Sequence, residues 1–486
     1  MTMRDAPPGP VGHRDPARPP SHIDATAARA VGLLGGAWGR RAVANTSWWT
    51  PIRILLAATL ATLLLGYLQK APCATGDWPG SKQYTHMCYS DVVPLWSDER
   101  LDVGAVPYRD TAVEYPVLTG GFMWLTATFT RGLHDLHSEW SQVVLFGVLT
   151  ALLLAVCGLI VTAATAFTGR RRPYDAALFA LSPLLVFHAY SNWDLLAMAL
   201  ASSALWAWSR EKPVATGALI GLGTAAKLYP VFLLVPLAVL AIRTRRYGPV
   251  AWTAVAAVIS WLTVNLPFAI AYHHGWWTFY KYSEDRAAER SSIWAIGKTL
   301  LSAGDNPADA TYWVPPSAAL VLAIVAGMLV VFWIGLSAPS KPRVAQLAFL
   351  AVLMFLLTTK VWSPQYSLWL VPLLALARPH WRLAIIWQFT EIAVWFATLT
   401  LLLGEGTNQS AHGIGYGWLM LLLVIRDGLL LGLAGLIVRD MWRPELDVVR
   451  AGGEDDPGGG FFDGARDYFA PADGPRFPVA DRPQVL

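Results

Sequence analysis

Long apolar runs separated by short polar connections make up the middle of this chain. Residues 141–169, 247–272 and 311–340 contain no charged residue. A membrane-spanning helix needs about 20 largely apolar residues, so each of these runs is long enough. The runs lack the two-residue alternation of membrane strands. The pattern therefore predicts an all-α, polytopic membrane protein.

Shorter apolar runs between these three bring the predicted number of transmembrane helices to about twelve. They are centred on residues 52–68, 142–167, 175–190, 193–209, 213–226, 229–242, 249–272, 315–336, 344–358, 364–378, 382–403 and 416–438. The short segments in the middle of the chain fit broken or tilted helices.

Composition agrees with this assignment, since 55% of the residues are hydrophobic and only 14% are charged. An average soluble domain is about 25% charged, which excludes a water-soluble globular protein. The 24 Trp and 3 Cys exclude disordered and disulfide-rich classes. The net charge of +4 includes no long basic tract, so we expect membrane lipids and no nucleic acid as partners.

Basic residues collect in every second connection between the predicted helices. They are Arg40, Arg41, Arg53, Arg170, Arg171, Arg172, Arg210, Lys212, Arg243, Arg245, Arg246, Lys341, Arg343, Arg378, Arg382, Arg439 and Arg443. Cytoplasmic loops of membrane proteins are enriched in Lys and Arg. We therefore expect a multi-pass plasma-membrane protein with both termini cytoplasmic and two long external loops, 69–140 and 273–314.

The sequence divides into one transmembrane domain, 48–443, and two polar tails. Residues 1–47 are rich in Pro, Arg and Asp, and residues 444–486 in Gly, Pro and Asp. Neither composition favours a buried core, so both tails are predicted to be disordered and cytoplasmic.

The first external loop contains two cysteines and the densest group of acidic residues. Cys73 and Cys88 lie fifteen residues apart on the oxidising side, which favours a disulfide. Asp91 follows within an apolar and aromatic stretch, a setting that suits a general base. Glu114 precedes the short apolar run 117–129, which fits an interfacial or re-entrant helix. Solvated surface carboxylates remain the alternative for both acids.

Four cations lie on the same external side: Lys227, Lys360, Arg286 and Arg290. External cations run against the positive-inside bias and call for a reason. One interpretation is a pocket for an anion such as a lipid phosphate. The alternative is a set of loop charges that reach the headgroups.

Two charged sites fall inside predicted spans, Glu391 and the Arg426-Asp427 pair. A lone charge at that depth costs at least about 2.5 kcal/mol, so each needs a partner. We predict a structural ion pair between Glu391 and Arg426 on adjacent helices.

Several short motifs in the external connections together resemble glycosyltransferase family 87. They are Tyr89-Ser-Asp91-Val-Val, Asp102-Val-Gly-Ala-Val-Pro-Tyr108, Glu114-Tyr115-Pro116, Ser191-Asn192-Trp-Asp194, Lys227-Leu-Tyr229-Pro230 and Lys360-Val-Trp-Ser-Pro-Gln365-Tyr366. The resemblance runs from about residue 50 to 440 and leaves out both tails.

The resemblance implies a GT-C fold and the transfer of mannose from a polyprenyl-phosphate sugar to a glycolipid or polysaccharide acceptor of the cell envelope. Asp91 matches the catalytic base of an inverting reaction. The four external cations become candidate ligands of the donor phosphate. Candidate sugar or acceptor ligands are Glu114, Tyr115, Asn192, Asp194, Tyr229, Gln365 and Tyr366.

No Asp-x-Asp pair surrounds Asp91, so we expect no cofactor and no obligatory metal. Two alternatives remain. One is the transfer of arabinofuranose or another pentose by the same fold, and the other is a lipid-linked saccharide transporter or flippase.

Overall fold

The computed structural model describes residues 20, 24–41, 48–302, 313–406 and 413–469. In these ranges the regular structure is helical, apart from an isolated bridge between Pro107 and Thr111. This confirms the predicted all-α class.

Nineteen α-helices lie in the described part of the chain and are numbered here in order. They are α1 Ala25–Arg41, α2 Pro51–Lys70, α3 Lys82–Thr85, α4 Leu95–Asp98, α5 Val117–Leu136, α6 Gln142–Thr168, α7 Ala177–Ala180, α8 Pro183–His188, α9 Asp194–Ser209, α10 Pro213–Ala226, α11 Leu234–Thr244, α12 Tyr247–Ala271, α13 His273–Asp285, α14 Ile293–Leu301, α15 Ser317–Ser337, α16 Val344–Thr358, α17 Leu370–Ala377, α18 Trp381–Gly406 and α19 Tyr416–Trp442.

Six helical segments in the described residues are long and apolar enough to cross a membrane. They are Pro51–Cys73, Gln142–Thr168, Tyr247–Ala271, Ser317–Ser337, Trp381–Glu405 and Tyr416–Trp442. Shorter apolar helices occupy the other predicted segments. Multiple membrane-spanning helices are therefore supported, while the number twelve stays a prediction.

Three predicted helices are interrupted by prolines. The predicted helix 175–190 is split into short pieces, and 229–242 and 364–378 each begin with a 3₁₀ turn, Tyr229–Leu233 and Pro364–Trp369. Proline lacks a backbone N–H and fixes φ, so it starts helices and interrupts those that precede it.

The apolar run 117–129 is part of a longer helix than predicted, since α5 extends over 20 residues. Val117, Met123 and Ala127 lie on its buried face. The segment 69–140, predicted to be an external loop, therefore contains a long helix with a buried face.

The centre of the bundle is α16, whose side chains are buried almost along its whole length. On the periphery, α12 and α15 expose large apolar side chains such as Val258, Ile259, Leu322 and Leu329. Helices that are apolar on the outside as well as the inside are typical of a membrane bundle.

The bundle has two chemically different ends. One end, called the site end here, carries the connections 69–116, 189–193, 227–228, 286–292 and 359–363. The opposite end, called the basic end, carries the connections 169–172, 210–212, 245–246, 338–343 and 378–380. Helices separate the two groups of connections, so the residues of each predicted side lie together.

The predicted disorder of residues 444–486 is wrong for residues 444–469, which pack on the basic end. Arg343 and Asp447 form a buried ion pair at 2.7 Å, and Lys341 and Asp455 one at 2.6 Å. Phe462 is fully buried against Trp208. The acids of this segment neutralise the basic connections, which composition alone did not reveal. Residues 470–486 lie outside the described residues.

The predicted disorder of residues 1–47 also differs from the structure, because α1 covers Ala25–Arg41. Asp24 accepts hydrogen bonds from the backbone N–H groups of Thr26 and Ala27 at the start of this helix. The rest of that predicted tail, apart from Pro20 and Asp24, lies outside the described residues.

Candidate active site

Asp91 is held against the connection between α8 and α9. Its backbone N–H donates to the carbonyl of Ser191 at 2.9 Å, and Ser90 Oγ donates to the carbonyl of Tyr190 at 2.6 Å. Three residues earlier, Cys88 forms a disulfide with Cys73. The segment that carries Asp91 is therefore fixed from both sides.

One oxygen of the Asp91 carboxylate receives two donors. Asn192 Nδ2 donates to Asp91 Oδ2 at 2.7 Å, and the Tyr115 hydroxyl lies 3.5 Å from the same oxygen. Asn192 Nδ2 also donates to the Tyr115 hydroxyl at 2.8 Å. The two donors orient the carboxylate. Because Asp91 is only partly buried, a proton donor can still reach it.

Tyr115 is itself rigidly supported. Its ring packs edge-on against Trp193, with centroids 5.5 Å apart. The Tyr108 hydroxyl donates to the Tyr115 carbonyl at 2.9 Å. Gly120 has no room for a Cβ because the Tyr108 ring lies against it. The turn of the first loop therefore fixes the position of Tyr115 beside Asp91.

Lys227 lies where α10 ends, facing the first residue of α9. Its Nζ is 3.5 Å from Asp194 Oδ1, and Trp369 Nε1 donates to the same oxygen at 2.9 Å. The ammonium also lies over the rings of Tyr366 and Tyr115, 4.9 and 5.5 Å from their centroids. The predicted phosphate ligand thus already has a buried anionic partner.

Three aromatic rings stack on one another next to Lys227. Trp369 stacks on Tyr229 at 4.4 Å and on Tyr366 at 4.2 Å between centroids. Gln365 is buried beside them in the 3₁₀ turn. Three of the seven residues predicted to bind sugar or acceptor, Tyr229, Gln365 and Tyr366, therefore lie together beside Lys227.

Arg286 and Lys360 form a second positive group at the site end. Lys360 Nζ donates to the carbonyl of Glu284 at 2.7 Å. Burial, together with repulsion by Arg286, lowers the pKa of Lys360. Arg286 interacts electrostatically with Glu289, Tyr366 and Glu114. These two cations therefore lie close together and near the acids of the site.

The structure does not bring Arg290 into this group. Its guanidinium pairs with Glu405 at 2.6 Å, near the end of α18. Glu114, by contrast, lies at the site and bonds to the Tyr282 hydroxyl.

In sequence, residues 115–359 match the model of glycosyltransferase family 87, which is just over half of the chain. The chain belongs to glycosyltransferase family 87. No curated protein matches it in sequence. The matched region contains Tyr115, Asn192, Lys227 and Arg286, whereas Asp91 precedes it. Family 87 membership makes the chain a membrane glycosyltransferase and favours an enzyme over the transporter alternative.

The predicted direct pair between Glu391 and Arg426 of this family 87 enzyme does not form. Arg426 Nε donates to its neighbour Asp427 at 2.9 Å, and its guanidinium lies 3.8 Å from the ring centroid of Trp362. Glu391 Oε1 accepts from Ser367 Oγ and Trp387 Nε1 instead. Asp427 and the carbonyl of Ser291 engage the Arg426 guanidinium, while one carboxylate oxygen of Glu391 is taken by Ser367 and Trp387. The two charges therefore interact electrostatically without direct contact.

Sequence reasoning missed two residues of the candidate site, Tyr89 and Glu289. The Tyr89 hydroxyl bonds to Asp91, and burial next to that carboxylate raises the pKa of Tyr89. Glu289 interacts electrostatically with both Asp91 and Arg286. Tyr89 stands two residues before Asp91, a spacing that places two side chains on one face only in a strand, and the sequence predicts no strand there. Glu289 lay among other loop acids with no motif to distinguish it. In the described residues no cluster of three His, Cys, Asp or Glu side chains could hold a metal ion.

Proposed function

We propose that this family 87 enzyme transfers mannose from a polyprenyl-phosphate donor to a glycolipid or polysaccharide acceptor, with Asp91 as the general base. The observation that carries the proposal is the Asp91 carboxylate, oriented by Asn192 and Tyr115 on one oxygen and still accessible. Cations at the same end support it, because a donor phosphate needs positive charge beside it.

The reaction is a single displacement. Asp91 takes the proton of an acceptor hydroxyl, and that oxygen attacks the anomeric carbon of the sugar. The bond between the anomeric carbon and the phosphate oxygen breaks, and the electron pair leaves with polyprenyl phosphate. A β-linked donor gives an α-linked product. The leaving phosphate monoester is stable as an anion, so the chemistry requires no general acid.

The cations of the site end support the departure of that anion. Arg286 and Lys360 carry positive charge without a carboxylate within ion-pair distance in the described residues. Lys227 is partly neutralised by Asp194 and supplies a positive charge that is fixed in position beside the site. Cations that are already in place stabilise developing negative charge without reorganisation.

An apolar groove between α2 and α6 supports a lipid-linked donor. The cavity measures about 40 Å³ and is lined by Tyr67, Val144, Val148 and Leu154, among others. It reaches Ser90, the residue before Asp91. The cavity has room for only a short segment of an isoprenoid chain, whose remainder would lie against the outside of these helices in the membrane. The positive-inside rule favours a cytoplasmic basic end, and this supports a site on the external face of the plasma membrane.

The test is a transfer assay in membranes with radiolabelled polyprenyl-phosphate mannose, comparing the wild type with Asp91→Asn at equal expression. General base catalysis contributes about 100- to 10,000-fold, so the variant should lose that factor in kcat. Equal transfer by both proteins would remove Asp91 from the mechanism. A polyprenyl-phosphate arabinofuranose donor, assayed in parallel, separates hexose from pentose transfer. Movement of intact donor without transfer would contradict the proposal.

A further inference from the structure

The backbone of Glu289 is fixed between two connections of the site end. Its N–H donates to the carbonyl of Lys360 at 2.8 Å. Its own carbonyl accepts from the backbone N–H of Ser292 at 2.8 Å and from Ser292 Oγ at 2.7 Å. Ser291 Oγ donates to the carbonyl of Trp362 on the same connection. Glu289 therefore stands at a rigid junction of the loop before α14 with the loop after α16.

The carboxylate of Glu289 has fewer partners than it can accept. Ser363 Oγ lies 3.1 Å from each of its two oxygens. An ionised carboxylate offers about four acceptor positions, and a single hydroxyl has one proton to give. No Lys, Arg or His nitrogen in the described ranges comes within 4.0 Å of it to form an ion pair. The remaining acceptor capacity is open to a ligand that carries donors.

The charges around Glu289 restrict what that ligand is. Burial raises the pKa of Glu289, Arg286 and Ser363 oppose the rise, and repulsion by Asp91 adds to it. Two carboxylates in one site repel an anionic group, so a phosphate does not bind between them. Neutral hydroxyl donors satisfy the carboxylate without adding negative charge. A sugar ring offers several such hydroxyls.

We propose that Glu289 binds a hydroxyl of the sugar being transferred. Arg286, whose charge attracts Glu289, would hold the phosphate attached to that sugar. Asp91, whose charge repels Glu289, would face the anomeric carbon. The ring then lies between the three side chains, with Glu289 as a specificity-determining contact. This inference rests on the proposed function, since it names a contact of the same donor.

The experiment uses the full-length enzyme in membranes and a series of polyprenyl-phosphate mannoses that each lack one hydroxyl. A hydrogen bond to a charged group contributes about 1.5–3 kcal/mol, which corresponds to a roughly 10- to 150-fold change in kcat/KM. The wild type should discriminate by this factor against one analogue. Glu289→Gln should use that analogue and the full donor almost equally well, because the contact is already lost.

Two further variants sharpen the result. Ser363→Ala should show a smaller loss of the same discrimination, and it carries the test if Glu289→Gln does not fold. Glu405→Gln removes a carboxylate from Arg290, outside the site, and should discriminate as the wild type does. Identical discrimination by the wild type, Glu289→Gln and Ser363→Ala would overturn the inference, as would a defect confined to the KM of the acceptor. Failure of the proposed function looks different, because the wild type then transfers no sugar from any of these donors.

Discussion

Lys227 combines an electrostatic role at the site with a structural one in the bundle. The side chain of Lys227 is 9% exposed and that of Asp194 2% exposed, so the pair is almost fully removed from water. Breaking a buried pair by removing one partner costs about 3–5 kcal/mol, because the other charge stays buried alone. Removal of both charges avoids most of that cost.

This separation of roles is testable. Lys227→Met should lower the melting temperature of the purified protein, whereas the double variant Lys227→Met/Asp194→Asn should recover most of it. Asparagine keeps an oxygen for the bond from Trp369 Nε1. Transfer activity should stay low in both variants, because the positive charge is absent in both. Full activity in the double variant would limit Lys227 to a structural role.

Glu99 predicts a pH dependence of the first loop. Burial raises the pKa of its carboxyl to about 7, while the backbone of Glu114 opposes the rise by a hydrogen bond and the charges of Glu114 and Asp98 add to it. The folded state therefore binds a proton at a pH where the unfolded chain, with a pKa of about 4.3, has lost it. The stability contributed by the protonated Glu99 carboxyl is fully present below about pH 4 and is lost as the pH rises through about 7.

Thermal unfolding at pH 5 and pH 8 measures this effect. The melting temperature of the wild type should be lower at pH 8, and Glu99→Gln should reduce the difference between the two pH values. An unchanged difference in the variant would assign the pH dependence to other groups. Asp77→Asn is a suitable control, since that carboxylate is exposed in the same loop and does not contribute to the pKa shift of Glu99.

At the scale of elements, the close approach of α10 and α12 determines where Lys227 stands. A Cβ at Gly217 would collide with the carbonyl of Thr253, and one at Gly221 with the carbonyl of Ala257. Ser260 Oγ donates across the same interface to the carbonyl of Ala218 at 2.8 Å. Small residues four apart let two membrane helices touch along their backbones.

Gly221→Ala should therefore destabilise the protein by about 1–3 kcal/mol, since an inserted methyl group forces the two helices apart. Because α10 ends at Lys227, transfer activity should fall as well. Thermal unfolding in detergent and the transfer assay measure the two effects. Gly248→Ala, in the first turn of α12, is the control because a Cβ at that position would meet nothing within 4 Å. Equal behaviour of the two variants would contradict the packing argument.

At the scale of the whole molecule, the acidic segment 444–469 closes the basic end. Besides the pairs of Arg343 and Lys341, Arg243 pairs with Asp467 at 2.6 Å while its own side chain is fully buried. Arg170 pairs with Asp463 at 2.8 Å. The segment thus neutralises several connections that are far apart in sequence and ties their helices together.

Truncation after residue 443 should lower the free energy of unfolding by at least about 3 kcal/mol, the cost of breaking one buried ion pair. It leaves Arg243 and Arg343 without these carboxylates. The expected result is a large drop in melting temperature or in expression. Truncation after residue 469 keeps all of these pairs and is the matched control. If the shorter protein melted with the control, the segment would contribute no stability.

Much of the helical layout follows from hydrophobicity along the chain. The structure confirms helices at 213–226 and 344–358 with the predicted bounds, and at 142–168 within one residue. Long apolar runs must bury their backbone hydrogen bonds in helices when water is absent, so local sequence is sufficient. Basic residues in every second connection between the helices also predicted which connections share an end of the bundle. Asp91, Asn192 and Lys227 lie together at one end as expected.

Only the tertiary structure decided how charges pair. Glu391 and Arg426 were expected to form a direct pair, yet each bonds to other groups, and a tail expected to be disordered supplies carboxylates to Arg343 and Arg243. Glu289 became visible as a site residue only when two distant loops met. Hydrophobic burial depends on short stretches of sequence, whereas an ion pair depends on a few ångströms between atoms that lie hundreds of residues apart.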